Sequence, residues 1–311
     1  MHFYSPIVLF IYKRPLHLAK TLKSLSFCEG FQNHPIYVFG DGPRNENENS
    51  LVQETRNIAM SFLGDKAQYI FSNKNKGLAN SVIDGVTNII TKYQSVIVIE
   101  DDLVFHSQFL KYMNNALIFF ANNSNVMSIS GYMYKTESLF GSNKAVLLPM
   151  ISTWGWGTWS RAWSNFDTDS NGAEDLKLDK LLKRSFDCNN SYPFSRMLEL
   201  QRSGRIDSWG IRWYWTIFKK KGLACFPPIT LVENNGFDKF ATHGKGLFTK
   251  FRDNKTLNSA EINVDLLFKE KNEFKPEIYN EVCKSLYRLN GGHLGKIRDI
   301  IKNISSRNIL H

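Results

Sequence analysis

Three consecutive acids directly after an apolar run are the residues of this sequence best suited to chemistry. Val96 to Ile99 carry no polar side chain, which is typical of a strand buried on both faces of a sheet. Glu100, Asp101 and Asp102 follow at once. Because a buried strand cannot hold three carboxylates without a large desolvation cost, we expect them at the carboxyl end of the strand, where open α/β sheets bind ligands.

Clustered carboxylates at that edge suit Mg²⁺ or Mn²⁺, which commonly bridge protein carboxylates to a substrate phosphate. The acidic triplet therefore predicts a site for a metal ion and a diphosphate. The alternative is a solvated turn between a strand and a helix, in which Asp102 is the N-cap of the helix.

Other polar residues and glycines follow other predicted strands. Arg14, after the first strand, could contact a nucleotide, although an ordinary surface position is the simpler interpretation. Asp41 lies in a Gly-Asp-Gly-Pro sequence after the second strand, and it could accept hydrogen bonds from a base or ribose or simply form a tight turn. Gly77 opens the helix that contains Asn80, and a glycine there would let backbone N–H groups approach a ligand.

Tryptophans concentrate in the second half of the chain. Trp154 and Trp156 are separated by a glycine, so they could stack on a sugar ring or pack in the core. Trp159 and Trp163 are expected in the core.

Asp207 lies beside a second tryptophan cluster. It is the candidate general base, since an acid among bulky apolar groups can have its basicity raised. The alternative role is the N-cap of the helix that holds Trp213 and Trp215. His243 and Lys245 lie in a glycine-containing loop that could close over a diphosphate or could simply be solvated.

The bulk composition narrows the class of protein. With 311 residues, 42% hydrophobic and 14% aromatic, the chain predicts one large globular domain or one domain with a small appendage. A net charge of +10 suits phosphate-bearing ligands, nucleic acid or an anionic membrane. Neither a Gly-x-Gly-x-x-Gly nor a Walker Gly-Lys-Ser/Thr sequence occurs, which disfavours dinucleotide-binding and P-loop proteins.

Cysteine usage and the terminal segments indicate a cytoplasmic location. Four scattered cysteines without metal-finger spacing favour free thiols. The first residues lack the basic leader of a secretory signal, and no segment reaches the roughly 20 apolar residues that a membrane span requires.

Strands alternate with helices in the first half of the chain. The pattern predicts strands over residues 7–11, 36–39, 69–71, 97–99 and 127–130, with helices between them. This alternation predicts an α/β fold with a mostly parallel sheet flanked by helices. A later strand is expected over 223–226, and helices around Leu181 and over 197–201.

The chain becomes polar and basic from about residue 250. We expect a basic helical extension over residues 249–311. Within it, residues 294–304 place Leu and Ile on one helical face, which could lie on the inner face of an anionic plasma membrane or dock on the core.

Taken in order, these residues resemble the nucleotide-sugar-dependent glycosyltransferases of the GT-A fold. The likeness is to bacterial family-2-like sugar transferases and, more distantly, to N-acetylglucosaminyltransferase I, and it covers about residues 5 to 248. It rests on an ordered set of motifs: Arg14, Asp41, Gly77, Glu100-Asp101-Asp102, Gly155-Trp156, Asp207-Ser208-Trp209 and His243-Gly244.

The resemblance implies a Rossmann-like GT-A domain over 1–248, with a nucleotide-binding half (1–130) and an acceptor-binding half (131–248). Asp102 would bind Mn²⁺ or Mg²⁺, and Asp207 would deprotonate the acceptor as the base of an inverting transfer. The donor, for which a UDP-sugar is expected, would contact the remaining positions: Phe10, Arg14, Asp41, Gly77, Asn80, Glu100, Asp101, Trp156, His243 and Lys245. An oligosaccharide or lipid-linked acceptor in surface polysaccharide synthesis is implied.

One position departs from this pattern. Bacterial relatives often carry an aspartate directly after the tryptophan of the Ser-Trp motif, where this chain has Gly210. If that aspartate is the base, Asp207 must replace it or the protein is impaired. The alternatives are a sugar nucleotidyltransferase, although Lys13-Arg14-Pro15 lacks the glycines of its pyrophosphate loop, and a non-catalytic nucleotide-sugar or glycan-binding protein. Nucleic-acid binding is not expected, because the basic residues are dispersed and no recognised motif occurs.

Overall fold

The computed structural model describes residues 4–236, 262–268 and 273–292. The strands are β1 (Ile7–Ile11), β2 (Ile36–Gly40), β3 (Ala67–Phe71), β4 (Ser95–Glu100), β5 (Leu103–Phe105), β6 (Val126–Ser130), β7 (Val146–Leu148), β8 (Trp156–Trp159), β9 (Leu223–Phe226) and β10 (Val232–Asn234). The helices are α1 (Pro15–Ser26), α2 (Asn49–Leu63), α3 (Leu78–Ile90), α4 (Phe109–Phe119), α5 (Ser160–Trp163), α6 (Asp175–Leu178), α7 (Lys180–Phe186), α8 (Phe194–Arg202), α9 (Trp209–Lys219) and α10 (Pro276–Leu289).

An eight-stranded sheet with the order β3-β2-β1-β4-β8-β6-β9-β7 forms the centre of the molecule. All its strands run in one direction except β7 and β8, which pair antiparallel with their neighbours. The predicted α/β fold with a mostly parallel sheet flanked by helices is confirmed. The chain moves outward from β1 to β2 and β3, then returns to place β4 on the other side of β1. Such a reversal opens a crevice at the carboxyl ends of the two central strands, here β1 and β4.

Strand β4 is buried along its whole apolar run, as its sequence predicts. Val96, Ile97, Val98 and Ile99 are at most 1% exposed, because helices cover both faces of the sheet. The chain does not enter a helix after the acids. It continues into β5, and α4 begins later with Gln108 as its N-cap, so the alternative that made Asp102 a helix N-cap is wrong.

Two apolar cores lie on the two faces of the sheet. Alternate residues of β1 point to opposite faces, with Val8 and Phe10 in one core and Ile7 and Leu9 in the other. The first core includes buried residues of α3, α9 and α10, and the second includes those of α1, α2 and α4. The sheet is therefore the middle layer of three, which leaves its strand ends accessible to ligands.

The second half contains a strand that the sequence pattern missed. Residues Trp156–Trp159 form β8 between β4 and β6, and all four are buried. A four-residue strand covered on both faces has no alternation of polar and apolar residues, so periodicity does not reveal it. Trp159 and Trp163 are buried, which confirms their predicted core positions.

The described residues of the predicted 249–311 extension pack on the same cores. Ile262, Val264 and Leu267 belong to the core on the α4 side, while Ile278 and Val282 of α10 belong to the opposite one. These described segments of the predicted extension thus contribute to the two cores of the sheet. The amphipathic segment at 294–304 lies outside the described residues.

Two further expectations concern the cysteines and the membrane. All four cysteines are buried free thiols, as predicted. Among the helices of the described residues, none combines the length and apolar character needed to cross a bilayer.

A buried histidine, His34, connects the segment just before β1 to helix α4. His34 Nδ1 donates to the Ser5 carbonyl at 2.7 Å, and Nε2 accepts from the Asn114 amide at 2.9 Å. Both ring nitrogens are thus used by the neutral imidazole. Burial lowers the pKa of His34 to about 4, below its ordinary value of 6.5.

This histidine predicts an acid-sensitive stability. A lowered folded-state pKa means that the unfolded chain binds a proton first, so stability present above pH 6.5 is lost as the pH falls toward 4. The loss should reach about 2 kcal/mol at pH 5. In urea titrations at pH 7 and pH 5, His34→Gln should be less stable at pH 7 but show a smaller drop between the two values. An unchanged drop would assign the acid sensitivity to other groups.

Candidate active site

The three acids lie where β1 and β4 end side by side. Phe10 pairs with Glu100 in the parallel register of the two strands, so the segments that follow each strand meet in the crevice between them. The Tyr12 backbone N–H donates to Asp101 Oδ2 at 2.9 Å, and the Thr21 hydroxyl on α1 donates to the Asp101 carbonyl at 2.9 Å. Asp101 is therefore held in place by the loop that follows β1 and by the helix after it.

Crowding of three carboxylates makes this site strongly anionic. Burial, reinforced by the neighbouring acids, raises the pKa values of Glu100 and Asp101 above their ordinary range. Arg14 supplies positive charge: it forms an ion pair with Asp102 Oδ2, and its Nη1 lies 3.9 Å from Asp101 Oδ1. Although burial acts to lower the pKa of Arg14, attraction to Asp102 and Asp101 raises it on balance. Arg14 therefore lies in the site, not in an ordinary surface position.

Among the described residues, the other oxygen of Asp102 has no hydrogen-bond partner. Oδ1 is buried and accepts no hydrogen bond from any described residue. A buried carboxylate oxygen without a partner carries a desolvation cost, and an added cation would remove it. Within the described part of the chain, no three His, Cys, Asp or Glu side chains are grouped to enclose a metal ion. Asp102 thus fits a hard divalent cation that takes most of its ligands from substrate phosphate and water.

A segment that the sequence analysis missed covers this carboxylate. Strand β10 pairs antiparallel with β5, and Asn235 N–H donates to the Asp102 carbonyl at 2.9 Å. At Gly236, a Cβ atom would lie 2.0 Å from Asp102 Oδ2 and 3.0 Å from Arg14 Nη1. Only glycine lets the backbone approach this closely. In the sequence, Gly236 is only a glycine after two asparagines. This pattern does not indicate that it contacts Asp102, which is more than a hundred positions away.

A second carboxylate is used to hold the backbone. Asp41 Oδ1 accepts from the N–H groups of Gly42 and Lys76 at 2.8 Å, and Oδ2 accepts from Gly77 N–H at 3.0 Å. Asp41 thus joins the end of β2 to the start of α3. Its hydrogen bond from Gly42 N–H forms the tight turn that the sequence analysis gave as its alternative role. Gly77 has a φ of +81°, which favours glycine.

Asp207 lies at the other side of this helix start. A Cβ atom on Gly77 would be 3.0 Å from Asp207 Oδ2, so the two residues are in close proximity. The Asp207 side chain is half exposed, and Oδ1 lies 3.6 Å from Arg212 Nη2. The N-cap of α9 is Ser208, whose hydroxyl accepts from Ile211 N–H at 3.4 Å, so the alternative role of Asp207 as the cap is wrong.

Two of the predicted donor contacts, Phe10 and Trp156, have rings that are buried in the core. Phe10 is 4% exposed and stacks on Phe39 beneath α3. Trp156 is 1% exposed and stacks on Trp209 at a centroid distance of 4.9 Å. Both rings are enclosed by the core, so neither offers a face to a ligand. The sequence could not separate aromatic pocket linings from aromatic core residues.

The remaining candidates are peripheral or undescribed. Asn80 is exposed on the first turn of α3 and donates to the Lys76 carbonyl at 2.9 Å. Trp154 is half-buried and packs edge to face on Tyr132. His243 and Lys245 lie outside the described residues.

The loop after β1 contains a further polar cluster that was not predicted. Glu48 binds both Tyr12 Oη and Lys13 Nζ, and its carboxylate also accepts from Arg44 N–H at 2.9 Å. These hydrogen bonds, that from Lys13 first, lower the pKa of Glu48 to about 2. Glu48 therefore fixes the two residues immediately before Arg14. The sequence pattern around Glu48 indicates only a polar loop, so it did not predict this role.

Comparison with known proteins gives distant structural likenesses. No family model and no curated protein matches this sequence. The structure of S. aureus TarS matches over 40% of this chain and 21% of its own, with 13% identity and a TM-score of 0.28. Mannosyltransferase PcManGT from Pyrobaculum calidifontis, in complex with GDP-Man and Mn²⁺, matches over 70% of each chain, with 8% identity and a TM-score of 0.40.

Galactosyltransferase LgtC, in complex with donor and acceptor sugar analogs, matches over 55% of this chain and 65% of its own, with 10% identity and a TM-score of 0.34. The match spans about a fifth of TarS and less than two thirds of LgtC. Two of the three are named as sugar transferases, the class that the sequence resembles.

The close approach of Gly236 predicts a specific substitution effect. In Gly236→Ala the added methyl must displace the Asp102 carboxylate, so we expect a loss of about 1–3 kcal/mol in stability and weaker Mn²⁺ binding. Isothermal titration with Mn²⁺ and urea unfolding measure the two effects. Gly141→Ala is the control for cation affinity: its methyl meets nothing within 4 Å, but its φ of +71° strains an alanine, so this variant should lose stability and still keep the cation affinity of the unmodified protein. Equal Mn²⁺ affinities in the two variants would contradict the role given to Gly236.

Proposed function

We propose that this protein is a metal-dependent glycosyltransferase of the GT-A fold that transfers a sugar from a nucleotide-sugar donor with inversion. The acceptor proposed is a glycan or lipid-linked oligosaccharide of surface polysaccharide synthesis. The observation that supports the proposal is Asp102 Oδ1, which is buried in the crevice between β1 and β4 and has no hydrogen-bond partner in the part of the chain that the structure describes. That crevice is the place where open α/β sheets bind nucleotides, and a carboxylate there needs a cation.

The divalent cation would be held by Asp102, and when bound it supplies positive charge to the donor diphosphate. Mn²⁺ and Mg²⁺ both accept carboxylate and phosphate oxygens, so the residues present fit either ion. Glu100 and Asp101 lie beside Asp102, and a bound cation would favour the charged forms of these two carboxyl groups, whose pKa values are raised by burial. These two acids are also the proposed contacts for the donor ribose and sugar.

Arg14 has a second role toward the donor. Its guanidinium is held within the acidic cluster by Asp102, while Glu48 orders the two residues before it. A planar cation in this position can bind a phosphate oxygen with directed hydrogen bonds. The leaving nucleotide diphosphate gains negative charge as the glycosidic bond breaks, and a preorganised cation stabilises that charge without rearrangement.

Asp207 is the proposed base. Direct displacement at the anomeric carbon needs one carboxylate aimed at the acceptor hydroxyl. Asp207 has this freedom because its side chain is half exposed and borders the start of α3 at Gly77. At Gly210, where bacterial relatives carry an aspartate, a Cβ atom would lie 3.2 Å from Thr153 Cγ2, which is tighter than most contacts. The side chain of Thr153 thus takes up the space where that aspartate would begin.

The alternative functions use the same crevice. A sugar nucleotidyltransferase would form the nucleotide sugar instead of consuming it, and a binding protein would hold the donor without turnover. Donor binding supports all three functions. Release of nucleoside diphosphate in the presence of acceptor or water supports only the transferase.

Removal of the proposed metal ligand should abolish donor binding. In a thermal-shift screen of nucleotide sugars with and without Mn²⁺, a cognate donor at 100 times its Kd adds about 2.7 kcal/mol to the stability of the protein. Asp102→Asn should lose this Mn²⁺-dependent shift. Asp84→Asn is the control, because Asp84 is an exposed acid paired with Lys76 at 3.1 Å. If Asp102→Asn kept the shift, the metal site would not be at this carboxylate.

Removal of the proposed base should affect turnover without affecting donor binding. Asp207→Asn is expected to reduce the rate of nucleoside diphosphate release by about 10²–10⁴-fold, with an unchanged donor Kd. Asp169→Asn is a control at another acid that faces Arg212. If Asp207→Asn kept its turnover while Asp102→Asn was inactive, the base would be another group. The proposed donor site at Asp102 would still be supported.

A further inference from the structure

A surface rich in lysine and exposed leucine lies at the opposite end of the molecule from the acids. Leu178 and Leu181 are 83% and 75% exposed, although most leucines of the described chain are buried. They flank Asp179, which separates α6 from α7. We refer to residues 175–186, together with 219–221 at the end of α9, as the lysine–leucine face.

A cavity joins the two segments of this face. It has a volume of about 490 Å³, and its lining comes from both: Leu182 and Ser185 of α7, with Phe218, Lys219 and Lys221 at the end of α9. Leu181 and Ser185 are four residues apart on α7 and so share one side of the helix. Asp175, which also lines the cavity, and Leu178 are three residues apart on α6 and so are neighbours on that helix. The exposed leucines, the cavity and the turn at 219–221 therefore belong to one continuous surface.

The face is cationic. Its two segments carry seven Lys or Arg and two Asp residues. The carboxylate of Asp179 caps α7, since it accepts hydrogen bonds from the N–H groups of Leu181 and Leu182 at 2.8 and 2.9 Å. Among the residues described, no ion pair or side-chain hydrogen bond engages Lys180, Arg184, Lys220 or Lys221, so these charges are available to an external anion.

The position of the face follows from the strand directions. Gly222 borders the cavity and directly precedes β9, which runs in the same direction as β4. The cavity therefore lies at the amino-terminal edge of the sheet, while the acids lie at the carboxyl-terminal edge. This surface plays no part in the proposed donor site, and its role is independent of that function.

We propose that the lysine–leucine face docks the protein on an anionic lipid bilayer. Leucines that project among lysines match an interface in which apolar side chains enter the acyl boundary and ammonium groups contact lipid phosphates. A protein partner is a poorer fit, because protein interfaces are depleted in lysine. A second copy fits worse still, since a two-fold contact would place the same positive charges against each other. Nucleic acid would leave the leucines exposed to water.

The experiment is sedimentation of the full chain with vesicles. Vesicles of phosphatidylcholine alone are compared with equimolar phosphatidylcholine and phosphatidylglycerol, at low and high salt. We expect binding to the anionic vesicles only, and weaker binding at high salt because the charges are screened. Absence of binding to anionic vesicles would overturn the proposal, as would equal binding to both kinds.

Variants locate the surface that binds. Lys180→Gln with Lys220→Gln and Lys221→Gln should weaken binding by about fivefold per charge, about 100-fold in total. Leu178→Asn with Leu181→Asn should also weaken it, and it should do so at both salt concentrations. All five residues are exposed, so circular dichroism should show unchanged folding.

The matched control uses the same residue types on another surface. Leu16, Lys20 and Lys23 are exposed on α1, and Leu16→Asn with Lys20→Gln and Lys23→Gln should bind vesicles like the unmodified chain. If this control weakened binding as much as the variants of the lysine–leucine face, or if those variants bound normally, the site would lie elsewhere and the proposal would be wrong. If a variant of the lysine–leucine face turned a dimer into a monomer and left vesicle binding unchanged, the face would serve self-association and the proposal would be wrong.

Discussion

The rest of the site depends on the attraction between Arg14 and the carboxylates at the end of β4. Three acids on consecutive residues repel one another, and burial strengthens that repulsion because little water is present to screen it. Parallel pairing of β1 with β4 brings Arg14 to the same crevice, where it pairs with Asp102. Burial first, and then repulsion from the neighbouring acids, raises the pKa values of Glu100 and Asp101 despite the opposing effect of Arg14. Asp102 Oδ1, which has no hydrogen-bond partner among the residues described, is where the proposed cation would bind.

Several parts of the fold converge on this one carboxylate. The hydrogen bond from Tyr12 N–H fixes its neighbour Asp101, and strand β10 places Gly236 directly against Asp102. Glu48 orders the loop from which Arg14 projects. Each of these contacts uses a backbone group or a charged side chain, so the crevice is held by directed interactions. The apolar layers beneath it supply the rigidity that such a site requires.

The sheet also separates two surfaces of different chemistry. Its carboxyl-terminal edge carries the acids, whereas its amino-terminal edge carries the lysine–leucine face. Helix α9 connects the two, since Ser208 caps its start beside Asp207 and Lys219 ends it beside the cavity. Its 11 residues span about 16 Å. A protein docked through the lysine–leucine face would therefore keep the proposed active site away from the lipid surface.

The sequence alone determined the features that depend on local pattern. The apolar run before Glu100 is typical of a buried strand, and the acids were expected at its end because their desolvation inside the sheet costs too much. Strand and helix alternation determined the α/β class for the same local reason. Tertiary structure decided the rest: that Phe10 and Trp156 are enclosed by the core, that Gly236 meets Asp102, and that lysines from 175–186 and 219–221 form one surface. These facts depend on which distant segments pack together, and the periodicity of one sequence carries no information about contacts between segments far apart in the chain.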